Sequence, residues 1–412
     1  MGPVHCYRVY VQRRTGFLGG LRPEIVRLGL VSFFADVSSE MLYPIMPIFL
    51  ATVLHAPVAA IGLIEGIAEA VASLLKSVFG RISDRTGRRR PFVLAGYTIA
   101  ALSKPLIALA RSWPLVLVAR ASDRFGKGMR TSPRDALLAD FTPPAERARA
   151  FGWHRAMDTA GAVVGPLLAL ALISATRDDL RLVIVLSAIP GLVGAALVLT
   201  VRDSRVAAGA ASGPRAPPAI PLRRMPRPFL AYLAAWAPFA VANSSDVFLI
   251  LRARQLGYGT TATVLLYTTY NAVYSLSSPV FGQLADRWGR RQVLVGGLGV
   301  FALVYLGFAL VRAPATLWAL FGVYGLYIAA TDGVGKAYAV ELVPESVRAT
   351  AVGMLGTVTG LATLVASTTA GLLWEAVGPW AAFAFGAAGA LVSAAGLLLV
   401  PSLRRGSAAT SL

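Results

Sequence analysis

Gly80-Arg81-Ile82-Ser83-Asp84-Arg85-Thr86-Gly87-Arg88-Arg89 returns 202 positions later as Gly282-Gln283-Leu284-Ala285-Asp286-Arg287-Trp288-Gly289-Arg290-Arg291. Each copy is a burst of charge between long apolar stretches. An aspartate and several arginines are costly in hydrocarbon, so each copy belongs in a loop at a membrane surface. Two copies in equivalent places divide the chain into two similar halves, the plan on which many secondary transporters are built.

Composition agrees. The 412 residues are 56% hydrophobic and 14% charged, with mean hydropathy +0.65; soluble domains usually carry about 25% charged residues. The net charge of +19 fits basic residues gathered in cytoplasmic loops better than nucleic-acid binding, for which no motif is present. Cys6 is the only cysteine and there are three histidines, which excludes an internal disulfide and leaves no credible metal constellation. No phosphate loop or nucleophile–base pair stands out, so neither an enzyme nor a nucleotide-driven pump is expected, and no cofactor.

A spanning helix needs about 20 mostly apolar residues. Twelve stretches qualify: 26–54, 57–80, 91–111, 113–139, 147–174, 180–201, 229–256, 260–283, 291–312, 314–340, 346–374 and 378–401. The expected architecture is an all-α membrane protein of twelve transmembrane helices in two pseudo-symmetric six-helix bundles, 26–201 and 229–401. Residues 202–228, rich in Pro, Gly and Arg, read as a cytoplasmic linker, and 1–25 and 402–412 as cytoplasmic tails without a signal peptide. Arginines crowd the side holding both motif copies, which places that side and both termini in the cytoplasm, at the inner membrane. The halves echo each other twice more. Asp140-Phe-Thr-Pro143-Pro-Ala-Glu-Arg147 resembles Glu341-Leu-Val-Pro344-Glu-Ser-Val-Arg348, 201 positions on, and Ser38-Ser39-Glu40 resembles Ser244-Ser245-Asp246.

Ionisable residues inside spans are expensive and mark pathways. In the fourth span Arg120, Asp123, Arg124 and Lys127 share one helical face, which must look into the bundle. Asp36 and Glu40 in the first span and Glu65 and Glu69 in the second are i, i+4 pairs. Two carboxylates one turn apart repel when both are ionised, which suits one of them to load and release a proton. Static ion pairs holding the first, second and fourth spans together are the other reading. Asp246 lies in the seventh span, and Asp332 and Lys336 in the tenth. The 201-residue offset sets Lys336 opposite Asp135, so a pair across the halves could close one gate. All four lysines, Lys76, Lys104, Lys127 and Lys336, fall inside spans, while loops use arginine. Tyr267, Tyr270, Asn271 and Tyr274 form a stripe on the eighth span, suited to core packing or to stacking on a flat substrate. His154 and Asp158 read as a solvated pair near the end of the fifth span rather than a relay.

The two charged motifs are similar to the G-x-L-x-D-R-x-G-R-R pattern of the major facilitator superfamily, matched fully by Gly282–Arg291 and with Ile82 in the Leu place by Gly80–Arg89. The resemblance covers essentially the whole chain. It implies a cytoplasmic gate, a charge-paired latch carried by Gly80, Asp84, Arg85, Gly87, Arg88 and Arg89 and echoed by Gly282, Asp286, Arg287, Gly289 and Arg290. Gly152, Gly161, Gly165 and Pro166 resemble the family's fifth-helix antiporter signature, with Ala169-Leu170 where its closing Gly-Gly would stand. Pro44 and Pro47 resemble a signature of drug-exporting branches, and Asp123 to Asp135 resembles a bacterial and archaeal branch. The family's helices 1, 4, 7 and 10 line a central cavity, which would make Arg120, Asp123, Arg124, Lys127, Asp246, Asp332 and Lys336 cavity residues; Tyr267 and Asn271 of the eighth span would join them if their stripe faces that cavity.

The expectation is a monomeric secondary transporter working by alternating access, exporting a small organic molecule, anionic or zwitterionic, against protons carried by Asp36 and Glu40 with Glu65 and Glu69. Import of an organic or phosphorylated anion, and an uncoupled receptor or lipid-handling scaffold, are the alternatives.

Overall fold

Proline sets many of the boundaries. It is tolerated at the first position of a helix, where its missing N–H would have no partner, and it opens five rods of this chain through Pro23, Pro91, Pro114, Pro228 and Pro379. The computed structural model describes residues 21–143, 146–203, 224–344 and 347–399. Cys6, most of the two expected tails and of the linker 202–228, and Pro144, Ala145, Glu345 and Ser346 lie outside the described residues.

Among the described residues all regular structure is helical, in twelve rods. Helix 1 is Pro23–Leu42 continued by Met46–Ile48 and a π-helical turn Phe49–Val53; helices 2 to 5 are Val58–Thr86, Arg90–Ala108, Trp113–Asp140 and Arg147–Ala175. Helix 6 is Leu180–Leu186 with Ala188–Val198, and helix 7 is Arg227–Ala242 with Val247–Gln255. Helices 8 to 12 are Thr260–Trp288, Arg290–Leu310, Thr316–Glu341, Arg348–Ala376 and Pro379–Leu399. The twelve expected spans are therefore present, but the first, sixth and seventh are broken rather than continuous. Pro44 and Pro47 interrupt helix 1, and Pro190 removes the N–H that the last turn of Leu180–Leu186 would need. Nine rods are long and apolar enough to cross a membrane by composition alone. The other three are helix 1 and helix 4, which carry too many charges, and helix 8, which is rich in Tyr, Thr and Ser.

The packing repeats with the sequence. Helix 1 lies against helices 5 and 6, helix 4 against helices 2 and 3, and helix 3 against helix 6. Six helices on, helix 7 lies against 11 and 12, helix 10 against 8 and 9, and helix 9 against 12. Helices 2 and 11, and helices 5 and 8, join the two bundles. At the end away from the charged motifs the seam is shut: a Cβ at Gly66 would sit 2.9 Å from Leu364 Cα, one at Gly371 2.8 Å from Ala59 Cα, and the Ala59 N–H donates to Glu375. At the motif end the bundles part. A Cβ at Gly152, Gly282, Gly353 or Gly356 would meet nothing within 4 Å, and a cavity of about 390 Å³ opens among Arg155, Tyr274, Ser278, Asp286, Arg290 and Asp332.

Candidate functional site

Helix 4 can hold its charged face in the bundle because glycines and alanines thin the neighbours. Gly126 and Gly96 bring helices 3 and 4 together, and Gly128 faces Ala72 and Leu75 of helix 2. On that face the guanidinium of Arg120 is clamped. It donates to both oxygens of Glu65 at 2.9 and 3.2 Å and to Asp123 at 3.3 Å, with the Tyr43 ring 5.8 Å away. Arg120, Glu65 and Asp123 are only 2–4% exposed, and Arg124, 3.9 Å from Asp123, keeps a buried Nε without a hydrogen bond. Of the residues expected in the cavity wall or the proton path, Arg120, Asp123 and Glu65 thus form a closed network that ties helix 2 to helix 4. Behind it Lys104 of helix 3 is buried with one long bond, 3.5 Å, to the Ala100 carbonyl.

Asp36, Glu69 and Lys127 are different. Asp36 and Glu69 are half-buried and Lys127 is exposed, and among the described residues none of the three side chains has a hydrogen bond or ion pair. They stand in one another's field: Lys127 feels Glu69 and Asp36, and Glu69 feels Arg124 and Lys127. Helix 5 explains how Asp36 is placed. A Cβ at Gly161 would lie 2.9 Å from Asp36 Cβ, and one at Gly165 2.8 Å from Glu40 Cβ. The antiporter-like glycines are therefore the surface on which the two carboxylates of helix 1 rest, with Pro166 in the next position and Gly152 facing open space.

Glu40 reaches across the halves and accepts a hydrogen bond of 2.6 Å from Tyr267. Tyr43 stacks beside Tyr267 at 5.4 Å and meets Ser245 at 3.4 Å. Asp246, in the break of helix 7, accepts from Tyr270 at 2.7 Å and Tyr324 at 2.6 Å. Tyr267 and Tyr270 are buried in this seam, and Asn271 donates to the Tyr267 carbonyl. The tyrosine stripe is packing that also satisfies carboxylates. Tyr43, Ser245 and Tyr324 carry no charge and were not legible as partners; the echo of Ser38-Ser39-Glu40 in Ser244-Ser245-Asp246 was the available signal.

Two pairings differ from expectation. Lys336 bonds Asp332 at 2.6 Å, one turn away on its own helix, while Asp135 is taken by Arg134 at 2.9 Å, so no pair crosses the halves there. The local partner wins because it needs no second helix to be positioned. Asp332 also accepts from Tyr274, which in turn accepts from Arg155 of helix 5. His154, expected to be solvated, is 5% exposed, its Nδ1 3.5 Å from Asp158.

Each charged motif braces its own half. Gly87 ends helix 2 at φ 63° and Gly289 follows helix 8 at φ 99°, left-handed geometry that glycine adopts without strain. Arg89 meets Asp140 at 2.8 Å, and Arg290, which aligns with Arg88 rather than Arg89, meets Glu341 at 3.0 Å, so in each half an arginine of the motif reaches the acid at the end of helix 4 or helix 10. Gly80 faces Ser132 of helix 4, Arg85, Arg88 and Arg287 are exposed, and the Asp84 and Asp286 side chains are 55% and 74% exposed. Asp84 lies 3.6 Å from Arg89 and Asp286 3.9 Å from Arg290, each pairing within its own motif.

The sequence matches the model of the Major Facilitator Superfamily over residues 28–267 and 247–411. It is 34% identical over 386 residues to an uncharacterised MFS-type transporter of Methanocaldococcus jannaschii, a match covering 92% of this chain and 95% of that one. Among solved structures it is similar to the nucleoside transporter NupG, with TM-score 0.75, 14% identity and coverage of 92% and 98%. It is also similar to a bacterial homologue of the human lysosomal transporter Spinster in an inward-facing, occupied conformation, with TM-score 0.71, 17% identity and coverage of 92% and 96%.

Proposed function

The chain belongs to the Major Facilitator Superfamily and is a multi-pass membrane transporter; on that premise we propose that it exports a small organic molecule in exchange for protons, with Asp36 as the proton carrier. The observation that carries this is the state of Asp36. A half-buried carboxylate in the middle of a spanning helix, without a hydrogen bond or ion pair, is costly as an anion and becomes tolerable when it takes a proton or a cationic group. Glu65 and Asp123, committed to Arg120, are poorly suited to that work. Glu69, in the field of Arg124 and Lys127, suits a substrate contact. Export rather than import is favoured by the antiporter-like glycines resting on Asp36 and Glu40. The arginine-rich motif end is taken as the cytoplasmic end of an inner-membrane monomer with bundles 26–201 and 229–401, so the open cavity faces the cytoplasm.

The test is dissipation of a pH gradient in inside-out vesicles, screened over anionic, zwitterionic and cationic compounds. Dissipation by one compound class is expected in the native protein, and a loss of about 100-fold in Asp36→Asn, the scale of removing a positioned proton carrier. Equal dissipation by both proteins removes Asp36 from the mechanism. A second reading, import of an organic or phosphorylated anion, draws on Lys127 and on the buried Nε of Arg124, neither of which has a hydrogen-bond partner. It predicts uptake into right-side-out vesicles with no dissipation in the inverted ones.

A further inference from the structure

We infer that His154 and Asp158 of helix 5 form the path by which protons pass between the motif end and Asp36. The inference rests on the proton-coupled reading above and goes beyond it by naming how the carrier is reached.

His154 lies two turns into helix 5 from the motif end, and Asp158 one turn further in. The next turn brings Gly161, which presses directly on Asp36. The three groups therefore follow one another along the helix 1–helix 5 seam from one end of the bundle toward its middle. His154 is buried although it is polar. Its Nδ1 is 3.5 Å from one oxygen of Asp158, while its Nε2 and the other Asp158 oxygen are both buried without a hydrogen bond. Buried polar atoms are almost always satisfied, and an unsatisfied pair at both ends of one His–Asp unit is an expensive feature for a mere brace. It is what a relay needs: one atom to receive and one to pass on.

The surroundings are charged on each side. Arg134 and Asp135 of helix 4 face His154, with Arg155 and Asp158 from its own helix. Asp158 faces Arg134 and Asp36. Asp36 has Glu40 beside it and Lys127 and Arg130 across on helix 4. Asp135, whose side chain is 41% exposed, lies near the motif end of helix 4. Imidazole can take a proton at one ring nitrogen and release one from the other. A proton taken at Nε2 makes the imidazolium, Nδ1 gives its proton to the Asp158 carboxylate, and the resulting acid passes it to Asp36. The ring is left protonated at Nε2, and a solvent water that accepts that proton and returns one to Nδ1 restores the starting tautomer.

Time-resolved infrared spectroscopy after photolysis of a caged proton follows the C=O stretch of a newly protonated carboxyl. The band belonging to Asp36 is the one absent in Asp36→Asn. His154→Gln keeps a donor for Asp158 but cannot relay. It is expected to leave the amplitude of that band unchanged, which vouches for the fold, and to slow its rise about tenfold or more. Asp158→Asn is expected to slow it likewise. A rise as fast as native in both variants overturns the relay, as does a smaller band with an unchanged rate. A native protein with no band assignable to Asp36 overturns the proton-coupled reading itself, and the relay with it.

Discussion

Arg120→Ala is expected to be the most destabilising single change in this protein, costing about 3–5 kcal/mol, the usual range for removing one partner of a buried ion pair. The reason is what stays behind. Glu65 and Asp123, 3% and 4% exposed, would lose the guanidinium that holds both, and Asp123 would keep Arg124 at 3.9 Å with Lys104 and Arg130 in its field, while Glu65 would lose its ion-pair partner. Folded proteins have about 5–15 kcal/mol in hand, so the variant should unfold at markedly lower denaturant or temperature in detergent. The double change Arg120→Met with Glu65→Leu removes the cation together with its closest anion and should recover most of the loss. A single variant as stable as the native protein would show that the network does not hold helices 2 and 4 together. A double variant no better than the single would put the cost in lost packing rather than in an uncompensated charge.

Which charges lie inside the spans was legible in the sequence; which of them are tied was not. The repeated motif and the apolar stretches give twelve rods and two halves, and the packing pairs recur six helices apart as that symmetry requires. The i, i+4 rule puts Asp36 with Glu40 and Glu65 with Glu69 on single faces, yet it is blind to the neighbouring helix. Glu65 is spoken for by Arg120 and Glu40 by Tyr267, whereas Asp36 and Glu69 stand alone. Those partners are set by how closely helices approach, and glycine sets that: Gly161 and Gly165 read as a signature in the sequence, but only the structure places them against Asp36 and Glu40. The breaks of helices 1, 6 and 7 were missed because hydropathy averages over them. The charges of helices 1 and 4 and the polar stripe of helix 8 were the available signal, since those rods carry most of the candidate site.

Gly62→Val should move the protein between its two states. A Cβ at Gly62 collides with the Ser367 carbonyl oxygen and comes within 3.1 Å of Phe248, both in the other bundle. A backbone oxygen cannot turn aside as a side chain can, so the bundles must separate at this end. Overpacking of this kind costs about 1–3 kcal/mol, and the cost falls only on the state in which this seam is shut. A ligand or mutation shifts a two-state equilibrium by its differential effect on the two states, and about 2.7 kcal/mol is a hundredfold. Spin labels at Leu54 and Val377, in a background where Cys6 is serine, read the separation directly; the native protein should give the short distance and Gly62→Val a dominant longer one. Gly353→Val, at the open end where a Cβ meets nothing, should keep the short distance. Identical distributions in all three would mean that the shut seam is not one of two alternating arrangements. The same seam holds Tyr267 on Glu40 and Tyr43 on Ser245. Glu40 lies one turn from Asp36, so a proton entering this pair acts on a residue that bridges the two bundles. Opening the seam by Gly62→Val should therefore break the Tyr267 bond to Glu40 and, on the role proposed for Asp36, change its proton uptake, which would link the conformational step to the chemical one.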